Sequence, residues 1–240
     1  MHNYHSSKRG FTLVELSIVI IIIGLIVAGV TAGQQVVKSA QIRLISTHVG
    51  IFKSSMQNFR LQYNQLPGDF NNALAYWPNW RTTLPNCSDN SDTYINGNND
   101  KHISSASGQE DAVFFKHFVL AGYLPGWKSL KSTTGSCDPA DGGSRRNYNN
   151  PIGPLNNSGY KIGNAGVGQP VFVRFGTYDH PNFNGPVLTT NEAFGIDSKQ
   201  DDGLPSTGSV IGDDTVGNCV SANAYDTSQT GPQCTLKFNI

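Results

Sequence analysis

The sequence predicts an α+β fold in which a long N-terminal α-helix, half membrane-embedded and half amphipathic, packs on a small, mainly antiparallel β-sheet head with long loops. Three observations support this prediction. Residues 11–33 form an apolar run that a single charge, Glu15, interrupts. The next thirty residues carry one apolar stripe at helical spacing, and residues 169–175 (QPVFVRF) alternate as a β-strand does.

The apolar stripe predicts that the helix continues well beyond the membrane-length run. Its members recur at alternating intervals of three and four residues, which places them on one helix face: Ile42, Ile45, Val49, Phe52, Met56, Phe59 and Tyr63. All 12 prolines lie at or after Pro67, so no proline breaks the helix. A helix from Phe11 to Tyr63 would be about 80 Å long at a rise of ~1.5 Å per residue.

The net charge of zero conceals a difference between the two ends of the chain. Up to Tyr63 there are six basic residues and one acidic residue, whereas the rest has 11 basic and 16 acidic residues, a net charge of −5. Nucleic-acid binding needs a basic surface that neutralises phosphates, so the mildly acidic head argues against nucleic acid as its main partner. The head is also rich in Gly, Pro, Asn, Ser and Thr, which is typical of a loop-rich domain.

Three kinds of N-terminal segment fit residues 1–33. Lys8 and Arg9 precede a run of 23 largely apolar residues, long enough to cross a bilayer with the N-terminus in the cytoplasm. One interpretation is a cleaved signal peptide, for which residues 30–32 (VTA) offer a small-x-small cleavage site. The second is an uncut signal anchor, and the third is a leader that is cut on the cytoplasmic side, after Gly10.

Glu15 discriminates among these interpretations. A carboxylate within an apolar segment costs ~2.5–3.5 kcal/mol near the bilayer centre and less near its edge, a cost that a disposable signal peptide has no reason to bear. After a cut between Gly10 and Phe11, the new ammonium group of Phe11 and the carboxylate of Glu15 would lie four residues apart on one helix face. The two groups would neutralise each other or pair with a neighbouring copy.

At this point the chain reads Gly10-Phe11-Thr12-Leu13-Val14-Glu15-Leu16, followed by the apolar run. The segment resembles the cleavage and methylation motif of type IV pilins and type II secretion pseudopilins. This resemblance implies that prepilin peptidase cuts after Gly10 and methylates the new N-terminus at Phe11, and that Glu15 acts in docking subunits into a filament. Many filament-forming major pilins carry a proline late in the apolar half, which this chain lacks.

The resemblance predicts four parts: a leader (1–10), a transmembrane or filament-core helix (11–33), an amphipathic helix half (34–63) and a globular periplasmic head (64–240). It implies a single-pass protein of the bacterial inner membrane that moves into a pilus or pseudopilus on assembly. The implied partners are prepilin peptidase, other pilin or pseudopilin subunits and the inner-membrane assembly platform. The expected function is that of a structural filament subunit; the alternative is a membrane-anchored periplasmic binding module that does not polymerise.

Small residues within the apolar run, Gly24, Ala28, Gly29 and Gly33, would let neighbouring helices approach closely. The competing explanation is that glycine is simply frequent in membrane helices. The sequence leaves both open.

After the stripe, Leu66-Pro67-Gly68-Asp69 predicts the end of the helix and a turn, and it resembles a segment that follows the long helix in a group of pilin-like proteins. Tyr76, Trp77 and Trp80 come next. We interpret these aromatic residues as packing the head on the helix stripe rather than as a ligand surface.

Residues 86–104 predict a surface loop with a candidate hairpin turn at Asn96-Gly97. Asn96, Asn98 and Asp100 alternate as calcium ligands do. However, Lys101 occupies the position where a calcium loop needs glycine, and no bidentate glutamate follows, so a solvated loop is the favoured interpretation.

Ser107 and Glu110 form a capping box that predicts a helix ending near Gly122, ahead of Pro125. His117 on this helix is interpreted as a surface or core histidine, because no partner motif makes it a catalytic base. Residues 126–168 predict loops with one short strand near Tyr160. Further elements are predicted at 169–175, 208–216 and 235–240 (strands) and at 190–199 (a short helix).

The segment 196–205 contains an Asp-x-Lys-x-Asp-Asp-Gly pattern that resembles part of the same pilin-like group. Asp197, Asp201 and Asp202 would converge on a hard cation such as Ca²⁺, or they would satisfy the backbone of a turn and pair with Lys199. The turn interpretation is favoured, and no other cofactor is predicted.

Four cysteines, Cys87, Cys137, Cys219 and Cys234, are widely spaced and include no C-x-x-C, which argues against a zinc or thioredoxin-like site. Because the leader indicates export, two disulfides are predicted, from three possible connectivities. Pairing of sequence neighbours, Cys87 with Cys137 and Cys219 with Cys234, is preferred, and the second bridge would fix the C-terminal tail.

The sequence contains no recognisable catalytic motif of the G-x-S-x-G, H-E-x-x-H, Walker-loop or helix-opening G-x-G-x-x-G kind. Its six histidines are scattered, and its acidic residues are not paired for acid–base chemistry. We therefore expect that the protein is not an enzyme.

Overall fold

The computed structural model describes residues 10–79, 95–103, 110–124, 150–164, 169–179, 182–213 and 217–240. The chain divides into two compact units, Met1–Gln41 and Ile42–Ile240, here called the first and the second unit. The first unit contains the N-terminal part of one long helix. The rest of that helix and all other described helices and strands belong to the second unit.

The described residues form four helices and eight strands. The helices are α1 (Leu13–Tyr63), α2 (Ala73–Tyr76), α3 (Glu110–Leu120) and α4 (Thr190–Gln200). The strands are β1 (Ser158–Asn164), β2 (Val171–Asp179), β3 (Asn182–Gly185), β4 (Leu188–Thr189), β5 (Val210–Asp213), β6 (Val220–Ser221), β7 (Ala224–Tyr225) and β8 (Pro232–Asn239). A long N-terminal helix followed by an antiparallel sheet confirms the predicted α+β class.

Helix α1 runs without a break for 51 residues, as the absence of proline predicts. Its buried residues are the predicted stripe together with one serine: Ile45, Val49, Phe52, Ser55, Met56 and Phe59. Ile42 and Tyr63, at the two ends of the stripe, are partly buried against the same core. The helix ends where Asn64 takes a left-handed conformation with φ 53°, which asparagine tolerates better than most residues.

The main sheet has the order β1-β2-β8-β4, with β3 also paired to β2 and β5 also paired to β8; every pairing is antiparallel. Strand β2 contains the alternating segment that predicted it and continues to Asp179. Val171, Val173 and Phe175 face the core, and Phe175 lies opposite Leu236 of β8. The period of two in the sequence thus coincides with alternating buried and half-buried residues from Val171 to Phe175.

Aromatic rings join α1, α3 and the sheet into one core. The Phe52 ring lies edge-on to Phe115 of α3 at 5.3 Å and to Tyr160 of β1 at 5.1 Å between ring centroids. Tyr160 in turn lies 5.0 Å from Phe175 of β2. Such ring pairs prefer edge-to-face or tilted geometry and bury large apolar areas, so they account for much of the cohesion of the second unit.

The predicted packing of aromatic residues on the helix stripe is confirmed at Trp77. Its ring centroid lies 5.4 Å from that of Tyr63 and 6.4 Å from that of Phe59. Tyr76 is more exposed but still contacts Tyr63 edge-on at 5.3 Å. Trp80 lies outside the described residues.

His117 is a core histidine that ties two loops to α3. Its Nδ1 accepts the Gly68 N–H at 2.8 Å, and its Nε2 donates to the Ile95 carbonyl at 2.7 Å. Its ring stacks on Phe59 with the centroids 5.8 Å apart. Complete burial lowers the pKa of His117 to about 4, so the ring is neutral at physiological pH and protonated only on Nε2.

The prediction of a surface loop is wrong for the two ends of the part that the structure describes, residues 95–103. Ile95 and Ile103 are buried in the core, and only the polar residues between them reach solvent. Gly97 lies directly against Asp69, where an added Cβ would come within 2.3 Å of the Asp69 backbone. This segment contains no strand, so the predicted hairpin at Asn96-Gly97 is absent from the described part of the loop.

Helix α3 ends as predicted. Gly122 has φ 78°, and the Tyr123 N–H donates to the Phe118 carbonyl at 2.9 Å, the glycine-based stop that the sequence indicated. At the other end, Glu110 is buried and accepts the Asn98 N–H on Oε1 at 3.1 Å. The predicted N-cap, Ser107, lies outside the described residues.

The remaining predicted elements are present with shifted ends. Helix α4 extends one residue beyond 190–199 and starts with a capping box between Thr189 and Glu192, which the sequence analysis missed. Within the described residues β5 is shorter than 208–216, and β8 begins at Pro232 rather than at 235.

Candidate processing and assembly segment

Helix α1 begins with a capping box between Thr12 and Glu15. The N–H and the hydroxyl of Thr12 both donate to Glu15 Oε2 at 2.8 Å. In return, the Glu15 N–H donates to Thr12 Oγ1 at 3.2 Å. Thr12 is therefore the N-cap and Glu15 the third helical residue, and backbone N–H groups that lack partners within the helix are satisfied.

Gly10 and Phe11, the predicted cleavage and methylation residues, directly precede this N-cap and lie outside the helix. The proposed pairing of Phe11 with Glu15 on one helix face concerns the cleaved chain and stays a prediction. In the uncleaved chain Glu15 already has a local role, because it bonds to Thr12 and places a negative charge in the first turn of the helix. The sequence analysis missed this role, although the Thr-x-x-Glu spacing before an apolar run is its signature.

An extended apolar surface follows the capping box. An 18-residue window of α1 has a mean hydropathy of 2.9 and no buried residue. The exposed large residues of this stretch are Leu13, Val14, Leu16, Ile18, Val19, Ile20, Ile21, Ile22, Ile23, Leu25, Ile26, Val27 and Val30. Contiguous exposed apolar surface of this extent marks contact with a membrane or a protein partner.

By length and composition, α1 can cross a membrane, and it is the one helix among the described residues that can. A signal sequence near the N-terminus also meets these criteria of length and hydropathy. The apolar character of the helix therefore does not distinguish a retained membrane anchor from a cleaved signal peptide. What favours a retained helix is the Glu15 carboxylate at its start.

Small residues leave part of this surface open to close approach. A Cβ added at Gly24, Gly29 or Gly33 would meet no atom within 4 Å. The fold of this chain therefore does not need glycine at these positions for space. The finding agrees with helix–helix packing but does not separate it from the general frequency of glycine in membrane helices.

The three aspartates predicted to converge do lie together. Asp197, Asp201 and Asp202 each place a carboxylate oxygen within 4.8 Å of the others. Asp197 is buried; its Oδ1 accepts the Gly203 N–H at 3.2 Å and its Oδ2 accepts the Tyr225 hydroxyl at 2.8 Å. Burial raises the pKa of Asp197, while these two hydrogen bonds oppose the rise.

The other two aspartates hold the turn that follows α4. Asp201 Oδ2 accepts the N–H groups of Ser209 and Val210, and Asp202 accepts the Leu204 N–H on Oδ1 at 2.8 Å. These backbone contacts are the ones that the turn interpretation predicts, but the predicted pairing with Lys199 is not found among the described residues. Calcium binding by this group stays a prediction.

A second acidic group, Asp69, Asp100 and Glu110, was not predicted. Their carboxylate oxygens also lie within 4.8 Å of one another, and Asp69 and Glu110 are buried. Burial raises the pKa of Asp69, against the effect of its backbone hydrogen bonds. Sequence reasoning had no signal for this group, because Asp69 meets residues more than thirty positions away.

The structure joins Cys219 and Cys234 by a disulfide with a Cα–Cα distance of 4.8 Å. This is the preferred sequence-neighbour pairing, and it links the start of the β6–β7 hairpin region to β8. Both cysteines are fully buried. Cys87 and Cys137, the other predicted pair, lie outside the described residues.

A model of the prokaryotic N-terminal methylation motif matches residues 5–31. The match includes Gly10, Phe11, Glu15 and most of the apolar run. This motif is the hallmark of the leaders of type IV prepilins and pseudopilins, and it confirms the resemblance at the N-terminus. No curated protein and no solved structure matches the chain significantly.

Proposed function

We propose that this chain, a precursor with a prepilin-type methylation motif, matures into a structural subunit of a type IV pilus or a type II secretion pseudopilus. Prepilin peptidase would cut after Gly10 and methylate Phe11, and α1 would then carry the subunit into a filament. The observation that supports this most is the combination of a carboxylate in the first turn of α1 with the uncovered apolar surface that follows it.

In this proposal, the apolar surface of α1 is covered first by lipid and then by other subunits. In a bilayer, lipid covers it; in a filament, the same residues pack against the corresponding helices of neighbouring subunits. Transfer between these environments involves little change in hydrophobic burial, so specific contacts decide it. The open positions at Gly24, Gly29 and Gly33 supply close approach.

Glu15 would supply the register of assembly. In the uncleaved chain its carboxylate is occupied by Thr12. Cleavage creates a new positive charge at Phe11, close to this carboxylate. In an apolar surrounding, a charge pair of this kind is strongly preferred to either charge alone, so an incoming subunit is held where its Phe11 ammonium meets a neighbour's Glu15.

The partners and location follow from this scheme. The precursor would reside in the bacterial inner membrane with its second unit in the periplasm, and it would contact prepilin peptidase, the assembly platform and other pilin or pseudopilin subunits. No catalytic role is included in the proposal. The alternative is an anchored periplasmic binding module that keeps α1 in the membrane and does not polymerise.

Substitution of Glu15 separates these two functions. Glu15→Gln retains a side-chain oxygen for the capping box and removes the charge, whereas Glu15→Val removes both. We expect both variants to be cleaved and anchored, and both to be lost from the sheared or cross-linked filament fraction. Ser17→Ala, at a nearby half-buried helix position, is the matched control and should assemble normally. Assembly of Glu15→Gln at the wild-type level would contradict the proposed role of the charge and favour the binding module.

A further inference from the structure

A cleft of about 610 Å³ lies in the second unit, where the C-terminal end of α1 meets the turn after it and the start of β2. Two cationic residues, Arg60 and Lys101, line it together with Asn64, Asn99 and Gln169, which carry side-chain amides. We call it the cation-lined cleft. Its volume falls in the range of small-molecule sites, roughly 300–1,000 Å³.

The two cations of the cleft are available to a ligand. Arg60 and Lys101 are exposed, and among the described residues neither side chain forms an ion pair or a hydrogen bond. Asp69, an acidic residue on the same wall, forms no ion pair with either cation among the described residues. It is almost completely buried, and its carboxylate accepts the N–H groups of Asp100 at 3.1 Å and Lys101 at 2.8 Å.

The backbone around the cleft is held in unusual conformations. Asn64, Asn99 and Lys101 have φ values of 53°, 62° and 65°, a region that a lysine rarely adopts. Asp69 holds the last two, because its carbonyl accepts the Asn99 N–H at 3.2 Å and its carboxylate accepts that of Lys101. Residues kept in such conformations concentrate at ligand sites, and here the buried Asp69 fixes the loop that carries Lys101.

The chemistry of the wall selects among anions. Many phosphate sites use free backbone N–H groups, and here those of Asp100 and Lys101 are already bonded to Asp69, which leaves only side chains to hold a phosphate. An extended peptide needs an unpaired strand edge, but Val171 at the cleft is already paired with Asn164, and its carbonyl accepts the Ile240 N–H at 2.9 Å. Neither ligand fits well.

A guanidinium and an ammonium group match carboxylate, and side-chain amides both donate to and accept from hydroxyl groups. We propose that the cation-lined cleft binds a carboxylated sugar, either as a free uronic acid or as an acidic residue of a polysaccharide. Arg60 and Lys101 bind the carboxylate, and Asn64, Asn99 and Gln169 bind hydroxyl groups. This site goes beyond the proposed filament function and does not depend on it.

Calorimetric titration of the full chain in detergent micelles tests the site without any need for assembly. The probes are D-glucuronate, trigalacturonate, D-glucose and inorganic phosphate. We expect glucuronate or trigalacturonate to bind, with glucose and phosphate at least about tenfold weaker, because loss of one charged hydrogen bond changes affinity by about that factor. Tighter binding of trigalacturonate than of glucuronate would indicate that the ligand is an acidic polysaccharide and not a free uronic acid.

Matched variants locate the binding. Arg60→Gln and Lys101→Gln should each weaken binding of the acidic sugar by about tenfold or more. Arg43→Gln, on the same helix, and Lys199→Gln remove exposed cations away from the cleft and should leave binding unchanged. Equal binding of glucose and glucuronate, preference for phosphate, no binding of either acidic sugar at millimolar concentration, or full binding by Arg60→Gln would each overturn the proposal. Thermal unfolding of every variant controls for folding, and Arg60→Gln alone suffices if Lys101→Gln does not fold.

Discussion

At the scale of single residues, Glu15 has one observed role in the uncleaved chain and one proposed role in the mature subunit. Before cleavage it completes a capping box with Thr12, so the start of α1 is ordered without any partner. After cleavage, in the proposed mechanism, it becomes the counter-charge for a new N-terminus. The first role involves only neighbouring residues and can be predicted from the Thr-x-x-Glu spacing. The second depends on the charge of an amino terminus that exists only after cleavage.

His117 is the residue whose protonation most directly affects stability. Protonation would place a charge in the core and would replace the acceptor that Gly68 needs with a second N–H. Because folding lowers its pKa from 6.5 to about 4, the neutral ring favours the folded state above about pH 6.5, and this contribution is lost as the pH falls towards 4.

We expect the free energy of unfolding of the full chain in detergent to fall by about 3 kcal/mol from this residue between about pH 7 and pH 4. His117→Gln offers one acceptor and one donor but does not titrate, so the variant should lack this part of the pH dependence. The difference between the two proteins isolates His117 from Asp69 and Asp197, whose raised pKa values act in the opposite direction near pH 4. Denaturant unfolding at several pH values provides the measurement, and parallel pH profiles for both proteins would contradict this account.

Sequence reasoning identified His117 as a surface or core residue but not its partners. Gly68 and Ile95 lie 49 and 22 positions away, and no short-range pattern encodes such contacts. The same limit explains Asp69, whose carboxylate bonds to a loop more than thirty positions later. The residue types indicated which hydrogen bonds these side chains can form. Their actual partners depend on the tertiary fold, which brings distant parts of the chain together.

At the scale of elements, α1 presents two different surfaces along its length. From Ile45 to Phe59 one stripe is buried in the core, while the residues beside it are half-buried or exposed. The heptad-like spacing predicted the apolar members of this stripe but not the buried Ser55, because helical geometry fixes which side chains share a face. The regular elements were therefore the most predictable part of the fold.

Paired alanine substitutions test the two sides of this helix. Phe52→Ala removes a fully buried ring that contacts Phe115 and Tyr160, and should reduce the free energy of unfolding by about 3–5 kcal/mol. Leu61→Ala, at a position that is 86% exposed, should change it by less than about 0.5 kcal/mol. Denaturant titration in detergent gives both values, and similar losses for the two variants would show that the buried stripe is misassigned.

The apolar part of α1 should tolerate larger side chains until it meets a partner. Gly29→Leu adds bulk where no atom of this chain lies within 4 Å, so we expect normal folding, cleavage and membrane insertion but a reduced yield of filaments. Val27→Leu changes a neighbouring exposed position by one methylene and is the control. Quantification of subunits in the filament and membrane fractions decides the outcome; unchanged assembly of Gly29→Leu would mean that the glycine only reflects membrane composition.

Irregular segments were harder to predict than helices and strands. The β2 and β8 strands follow from alternation and the end of α3 from Gly122, whereas the polar stretch around Asn96 suggested a free surface loop. Its flanking residues Ile95 and Ile103 instead enter the core. The polar composition of such a segment predicts only that most of it is exposed. It does not show that single apolar residues at its ends are buried in the core.

At the scale of the whole molecule, the two units differ in the surfaces that they present. The described residues of the first unit expose apolar side chains, and the second unit contains the core, the sheet and the disulfide between Cys219 and Cys234. The matched methylation motif lies entirely in the first unit. The processing motif thus lies at the N-terminus, whereas the proposed ligand site, the cation-lined cleft, lies in the second unit.

The most direct test of the central claim is the intact mass and N-terminal sequence of the protein purified from native membranes. Our account predicts a chain that starts at Phe11 and carries one additional methyl group on its amino terminus. A chain that starts at Gly33, after the candidate signal-peptide site at residues 30–32, would contradict it. The Glu15 carboxylate and the apolar surface of α1 would then be absent from the mature protein, and the proposed filament assembly would fall with them.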